Sequence, residues 1–543
     1  MPSPQRRGLP YPRRRLLSPS GGTREFTCKL PDFEYKQNED FELFNVPARG
    51  VLEEVLLAEA ERLCVQPNKP GRVVYEQEGP SPYQQKLNGG AKTDPPLPYY
   101  IPESPDDTTL IFESRFESGN LAKAIQMGPF EYNLVVNPDY FTNKHTQWFF
   151  FSVANTRRGI PYKFNIVNLM KADSLYNQGQ KPLFYSLRRF ELEGKTFYRD
   201  GNKICYFVNN LRKKTGGYFN TLTFTLVFPY DNDCVYMSHA YPYTYTKLNT
   251  FLDDIMGDEY RKRFIRRKEL CLTMAGNRCE LLIITNHEET VQMRNKRAVV
   301  FNARVHPGEN MASFAMESVI YNLCGPSLTS KLLRDNFIFY VVPMLNIDGV
   351  VVGNHRCNLS GVDLNRQWHD PSKKNHPTIF HTKALMKKIK EERELFVYCD
   401  IHGHNRKKNI FFYGCPVLDG SKKEMVFPII MNKNCDVFSL KDCSWAIPKD
   451  RENCARVIVW KELGLVNSFT LEISYLGAGA GKYECYHFNI QLFNLMGESL
   501  LKTILDAADS GSDNFRDAIL EIESSWPKKT DPVPTDKNPD DSY

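Results

Sequence analysis

Residues 298–309 read Ala298-Val299-Val300-Phe301-Asn302-Ala303-Arg304-Val305-His306-Pro307-Gly308-Glu309, and Met311–Leu323 follows at once. The stretch 298–305 is an apolar run suited to a buried strand, Pro307-Gly308 forces a turn, and Met311–Leu323 reads as a helix. A strand that turns directly into a helix is the unit of an α/β sheet. In open sheets of that kind ligands bind at the carboxyl ends of the strands. His306 and Glu309 stand at such an end, and an imidazole and a carboxylate are both good zinc ligands. The motif alone is a weak signal, because a turn histidine followed by an acid at a helix start is also favoured by the helix dipole.

Working outward, the apolar runs 281–285, Phe337–Val342, 395–401, Ile410–Tyr413 and Ser468–Ser474 predict further strands. Helical spacing at 381–393 and 490–505 alternates with them, so residues 244–505 are expected to form an α/β domain with a mixed, largely parallel central sheet. Upstream, residues 108–243 hold short aromatic and β-branched runs at 110–112, 132–136, 147–153, 162–167 and 222–228. Turn residues such as Asn137-Pro138 and Arg158-Gly159 separate several of them, which predicts an antiparallel β-sandwich. No active-site motif stands out there, so the sandwich is expected to support or gate the α/β domain. Residues 25–107 read as an N-terminal segment and linker, with a helix at 52–63 and a Pro, Gly and Gln-rich stretch at 79–102. Residues 1–24 read as a disordered basic lead, and 506–543 as an acidic tail with one helix at 515–524.

Composition narrows the class. A chain of 543 residues exceeds what one core supports, so two or three domains are expected. With 70 basic against 64 acidic residues, charge gives no ground for nucleic-acid binding. The 14 cysteines contain no CxxC pair, which removes the common zinc fingers and thioredoxin-type motifs and leaves reduced cytosolic thiols as the expectation. The arginines at positions 6, 7, 13, 14 and 15 precede no apolar segment, unlike a secretion signal. No apolar run approaches the ~20 residues that cross a bilayer, so membrane insertion is not expected.

Three further clusters carry chemistry. The 395–401 strand ends in Asp400-Ile401-His402-Gly403-His404, and one of these histidines completes the three protein ligands of a catalytic zinc. Spacing alone leaves His402 and His404 nearly even. Glu472 interrupts an apolar strand on the face shared with Thr470 and Ser474, as a salt-bridged structural acid or as a general base. Asn354-His355-Arg356-Cys357-Asn358 and Asp363-Leu364-Asn365-Arg366 offer guanidinium forks that can grip a substrate's terminal carboxylate.

In chain order these pieces resemble the M14 zinc metallocarboxypeptidases: His306-Pro307-Gly308-Glu309, then Asn346-Ile347-Asp348-Gly349, Arg356, Asn365-Arg366, His402 and Glu472. The resemblance narrows to the cytosolic carboxypeptidases, the tubulin deglutamylases. The phrases that carry it are Leu272-Thr273-Met274-Ala275-Gly276-Asn277, Gly361-Val362-Asp363-Leu364-Asn365-Arg366 and His402-Gly403-His404-Asn405-Arg406-Lys407-Lys408. In that branch a β-sandwich precedes the catalytic domain, and the stretch from Phe112 to Leu121 is similar to its opening.

The resemblance implies one Zn2+ per chain held by His306, Glu309 and His402, with Glu472 as general base. It also implies that Arg356 polarises the scissile carbonyl and that Asn365 and Arg366 hold the terminal carboxylate. It places Arg456, about fifteen positions before Glu472, where it would meet a substrate glutamate. The implied partners are glutamylated protein tails, tubulin and microtubules above all, in the cytosol or at centrioles and cilia. Arg304, Arg406, Lys407, Lys408, Arg451, Arg456 and Lys482 are candidates for a basic rim. Pancreatic-type relatives clamp substrate with a Tyr about twenty residues before the catalytic Glu, whereas none lies between Tyr413 and Tyr475 here. The alternatives are a zinc N-acyl-amino-acid hydrolase or esterase, and a microtubule-binding pseudo-enzyme.

Overall fold

A computed structural model describes residues 15–17, 23–25, 30–35, 41–47, 49–65, 71–77, 99–288 and 292–525. Where the sequence suggests a disordered lead, β1 (Arg15–Leu17) and β2 (Thr23–Glu25) pair antiparallel. The intervening Ser18-Pro19-Ser20-Gly21-Gly22 is turn-forming in composition, and the rest of the lead lies outside the described residues. So does most of the expected 79–102 linker. The N-terminal helix runs over Arg49–Val65, and β3 (Arg72–Glu76) joins a sheet edge that the sequence did not announce.

The next strands are β4 (Ile111–Glu113), β5 (Leu121–Gly128), β6 (Glu131–Val136), β7 (Phe150–Ala154) and β8 (Pro161–Leu169). They are followed by β9 (Leu183–Ser186), β10 (Tyr198–Arg199), β11 (Asn202–Arg212), β12 (Tyr218–Val227) and β13 (Val235–Ser238). They form two sheets, ordered β11-β12-β8-β6-β5-β3 and β10-β9-β13-β7-β4. Strict alternation shows why they face one another: along β6, Tyr132, Leu134 and Val136 are buried while the intervening side chains are not. These residues meet Phe149 and Phe151 from around β7 in one apolar core. The sandwich is antiparallel except at one pair. The chain leaves β6, crosses to the other sheet as β7 and returns as β8, so β6 and β8 run parallel.

The second part holds β14 (Ile265–Leu272), β15 (Arg278–Ile284), β16 (Arg297–Ala303), β17 (Phe337–Val342), β18 (Leu395–His404), β19 (Ile410–Tyr413) and β20 (Ser468–Ser474). Their order is β14-β15-β17-β16-β18-β20-β19, with β17, β16, β18 and β20 parallel and the flanking pairs antiparallel. The sheet is therefore mixed, with a parallel centre. Parallel strands buried on both faces are apolar without alternation, as β17 is throughout. Helices Met311–Leu323 and Ile490–Ala508 pack on each other, and Ala455–Leu463 packs against β18 and β20. Beyond residue 506 the expected tail is partly folded. Helix Asp513–Ser525 buries Ala518 and Ile522 in a small core with Ile429 and Ile430, while residues 526–543 lie outside the described residues.

The two parts share a continuous apolar core in which Trp148, Phe150 and Tyr236 of the sandwich join Phe314 and Phe493 of the α/β part. Residues 41–47 also touch the second part: the Phe44 N–H donates to Cys485 O at 2.8 Å. Among the described residues no helix is long and apolar enough to cross a membrane.

Candidate metal centre

The centre is built at the carboxyl ends of β16, β18 and β20. Just after β16, Arg304 takes φ +57°, a left-handed conformation uncommon for a residue with a side chain. Its buried guanidinium explains the turn. It donates to Pro307 O at 2.6 and 3.0 Å, to Tyr243 O at 3.0 Å, to Ser313 Oγ at 2.9 Å and to Asn310 Oδ1 at 2.5 Å. Burial pulls its pKa down to about 10. Arg304 is thus a scaffold for the His306–Glu309 turn and not part of a basic rim, as the sequence had suggested. Two glycines permit the close approach of that turn to its neighbours. A Cβ on Gly308 would lie 2.4 Å from His355 Nδ1, and one on Gly403 would lie 2.5 Å from Met311 Sδ and 3.1 Å from Glu309 Cγ.

His306, Glu309 and His402 are all buried and present ligand atoms within 4.8 Å of one another. Glu309 bridges the two rings, with Oε1 2.9 Å from His306 Nδ1 and Oε2 3.0 Å from His402 Nδ1. The two Nδ1 atoms face each other at 3.2 Å. Each Nε2 turns to a different carboxylate, His306 to Asp363 Oδ1 at 3.1 Å and His402 to Asp400 Oδ2 at 2.8 Å. Outer carboxylates of this kind fix the ring and its tautomer, leaving the other nitrogen free to ligate. Burial opposes charge on His402, but Asp400 and Glu309 outweigh it and hold the imidazole well above its ordinary pKa. Two inward imidazole nitrogens and a carboxylate gathered in one buried cluster fit a zinc ion. His404 is placed differently: its Nδ1 accepts the Lys407 N–H at 2.9 Å and its ring packs edge-on against Phe411.

Glu472 lies opposite His402 in the parallel β18–β20 register. It is the one partly open position in β20, whose other residues are buried. Burial pushes its carboxyl up to about 7, against the pull of His402. Arg356 pairs with Asp363 through Nε at 2.8 Å and Nη2 at 2.5 Å, so Asp363 touches both His306 and Arg356. Asn365 accepts the Ala455 N–H at 3.0 Å and brings Nδ2 within 3.5 Å of His402 Nε2. Arg366 donates to Asn365 O at 3.0 Å. Arg456 is buried, with Nε on Gly414 O at 3.1 Å, Nη2 on Ala446 O at 3.2 Å and Nη1 on Cys454 Sγ at 3.2 Å. Those bonds take it off the surface rim and leave part of its donor fork uncommitted. Arg406, Arg451 and Lys482 are exposed, as a rim requires.

Residues 112–202 match the family model described as the cytosolic carboxypeptidase N-terminal domain, and residues 251–427 match the one described as zinc carboxypeptidase. The chain is 42% identical over 440 residues to cytosolic carboxypeptidase 3 of Bos taurus, covering 80% of this chain and 43% of that protein. It is 42% identical over 426 residues to cytosolic carboxypeptidase 2 of Homo sapiens, covering 77% of this chain and 47% of that protein. The chain belongs to the cytosolic carboxypeptidases of the M14 zinc family. It spans less than half the length of these two relatives. A metallo-carboxypeptidase from Burkholderia cenocepacia shares the fold at a TM-score of 0.61 and 21% identity, over 74% of this chain and 99% of that one.

Several residues of this cytosolic carboxypeptidase centre escaped the sequence reading. Asp363 and Asp400 sat inside the quoted motifs, yet nothing local marked them as partners of the histidines. The sandwich, read as devoid of site residues, sends Asp139, His145 and Lys171 toward the centre. Burial and then the Arg356 charge lower His145 to about 4 and Lys171 to about 7. These residues stand singly in loops between strands, so no motif could have revealed them.

Proposed function

We propose that this chain is a zinc-dependent metallocarboxypeptidase that removes glutamates from acidic C-terminal or side-chain tails, tubulin polyglutamate foremost, in the cytoplasm. The observation that carries the reading is the convergence of His306, Glu309 and His402 on one point, with Glu472 beside them in register. When bound, zinc supplies a Lewis acid that polarises a carbonyl and acidifies water. His306, Glu309 and His402 hold it. The Glu472 carboxylate takes a proton from the attacking water and returns it to the leaving amine, for which a pKa near working pH is suited. The Arg356 guanidinium, held in place by Asp363, offsets negative charge growing on the scissile carbonyl oxygen, as a preorganised cation does.

Asn365 and Arg366 hold the substrate's terminal carboxylate, which restricts cleavage to chain ends. Arg456, the buried cation on the helix leading to β20, supplies charge for a terminal glutamate side chain, whose desolvation is otherwise costly. Exposed Arg406, Arg451 and Lys482 attract the acidic tail from solution. The test is to load the purified chain with zinc and offer long-chain and single-branch glutamylated tubulin peptides beside an N-acyl-glutamate, following products by mass. Stepwise release of free glutamate from peptide ends is expected. Cleavage of the N-acyl compound alone would overturn the reading in favour of an acyl hydrolase.

A further inference from the structure

Asp139 sits in the turn that follows β6 in the sandwich, and its side chain leaves that domain. Its Oδ1 accepts the His355 N–H at 2.5 Å, and its Oδ2 accepts the N–H groups of Arg356 at 2.6 Å and Cys357 at 2.7 Å. Three successive backbone donors aimed at one carboxylate form an anion nest, here filled by a residue more than 200 positions away in sequence. Neighbouring bonds hold the same two loops together. The Tyr140 N–H donates to Asn354 Oδ1 at 3.1 Å, and Asn354 Nδ2 donates to Cys357 O at 2.7 Å. The far side of the loop is tied to the metal turn, where the Gly308 N–H donates to His355 O at 2.8 Å. Asp139 is only 2% exposed, and burial raises its carboxyl to about 6 in spite of the three N–H bonds. Both carboxylate oxygens are thus committed to the backbone of the loop that carries Arg356.

We propose that Asp139 is a positioning residue for Arg356, holding the loop backbone so that the guanidinium is presented to the substrate carbonyl. The sandwich thereby forms part of the active site. This rests on the reading of Arg356 as the cation that stabilises the carbonyl oxygen. Asn at position 139 keeps the shape but cannot accept on both of its terminal atoms, and it removes a buried charge. Asp139→Asn should therefore fold and bind zinc, with a lowered melting temperature because buried N–H groups lose an acceptor. A loop displaced by about 1 Å can cost on the order of 10²-fold in rate, so kcat should fall about 10- to 100-fold while KM changes little.

The deciding experiment combines two measurements on the full chain. Amide hydrogen exchange over residues 354–358, read without substrate, should quicken markedly in Asp139→Asn. In a double-mutant cycle with Arg356→Ala, adding Asp139→Asn should cost less than about 2-fold more, because residues acting through one another are not additive. Unchanged exchange, or an equal loss of kcat in both backgrounds, overturns the proposal. If Arg356→Ala lowers kcat but Asp139→Asn does not, the positioning role fails and the Arg356 reading stands. If Arg356→Ala leaves kcat intact, the Arg356 reading fails first and takes this proposal with it. Should Asp139→Asn not fold, Asp139→Glu keeps the charge and shifts it by one methylene. The same loss of kcat with KM held is then expected, and wild-type kcat would overturn the proposal.

Discussion

His402 on β18 and Glu472 on β20 are register partners across a parallel pair of strands. Partners in such a pair project from the same face of the sheet, so an imidazole and a carboxylate are delivered to one face by the pairing of the two strands. Glu472→Gln preserves the strand and its packing. It should retain zinc by elemental analysis while losing about 10²–10⁴-fold in kcat, the range for a missing general base. Near-normal turnover would reduce Glu472 to a structural acid.

The same carboxyl sets a pH expectation. Burial raises Glu472 from 4.5 to about 7, and a base must be ionised, so the rate should fall as pH drops through its pKa. Zinc adds positive charge, placing the acid limb of kcat/KM at or below about 7. In metal-free protein the folded carboxyl binds a proton more tightly than the unfolded one. Its contribution to stability is therefore full below 4.5 and is lost as pH rises toward about 7. The melting temperature of metal-free Glu472→Gln should gain on wild type across that window, and a difference that does not vary with pH would count against the assignment.

Substituting His306, Glu309 or His402 by Ala should abolish zinc retention, whereas His404→Ala should keep it, because His404 spends its Nδ1 on the Lys407 N–H. Asp400→Asn should weaken zinc about 10- to 100-fold without abolishing it, as removal of an outer partner does. Metal content after dialysis against a graded chelator separates these cases. Zinc kept by His402→Ala and lost by His404→Ala would reverse the ligand choice.

Arg456→Leu should lower kcat/KM on a terminal glutamate far more than on a terminal apolar residue, at low and at high salt alike. It should also destabilise the fold by ~1–3 kcal/mol, since Gly414 O and Ala446 O lose a buried donor. A surface cation would show a preference that salt erases. If the variant keeps its glutamate preference at high salt, Arg451 or Lys482 becomes the cation to examine.

Much of this protein was legible because the relevant energies are local. The aromatic and β-branched run 132–136 announced a strand of the sandwich, the run 298–305 a buried one, and Pro307-Gly308 the turn between strand and helix. The ends of β16, β18 and β20 were therefore recognisable as places where His306, Glu309, His402 and Glu472 could gather. Three things were not written locally. Which of His402 and His404 faces His306 depends on the β16–β18 pairing and on Gly403 leaving room for Glu309. Arg304 and Arg456 were both candidates for a surface rim, yet both are buried, because carbonyls from distant loops take their donors. Asp139 had no motif at all. A carboxylate acquires a task only when a backbone more than 200 residues away turns its N–H groups toward it. Sequence determined the strands, turns and the residue types able to hold a metal, since these follow from neighbours along the chain. Tertiary structure decided which charges are buried and what they face, since desolvation and hydrogen bonding depend on groups that only folding brings together.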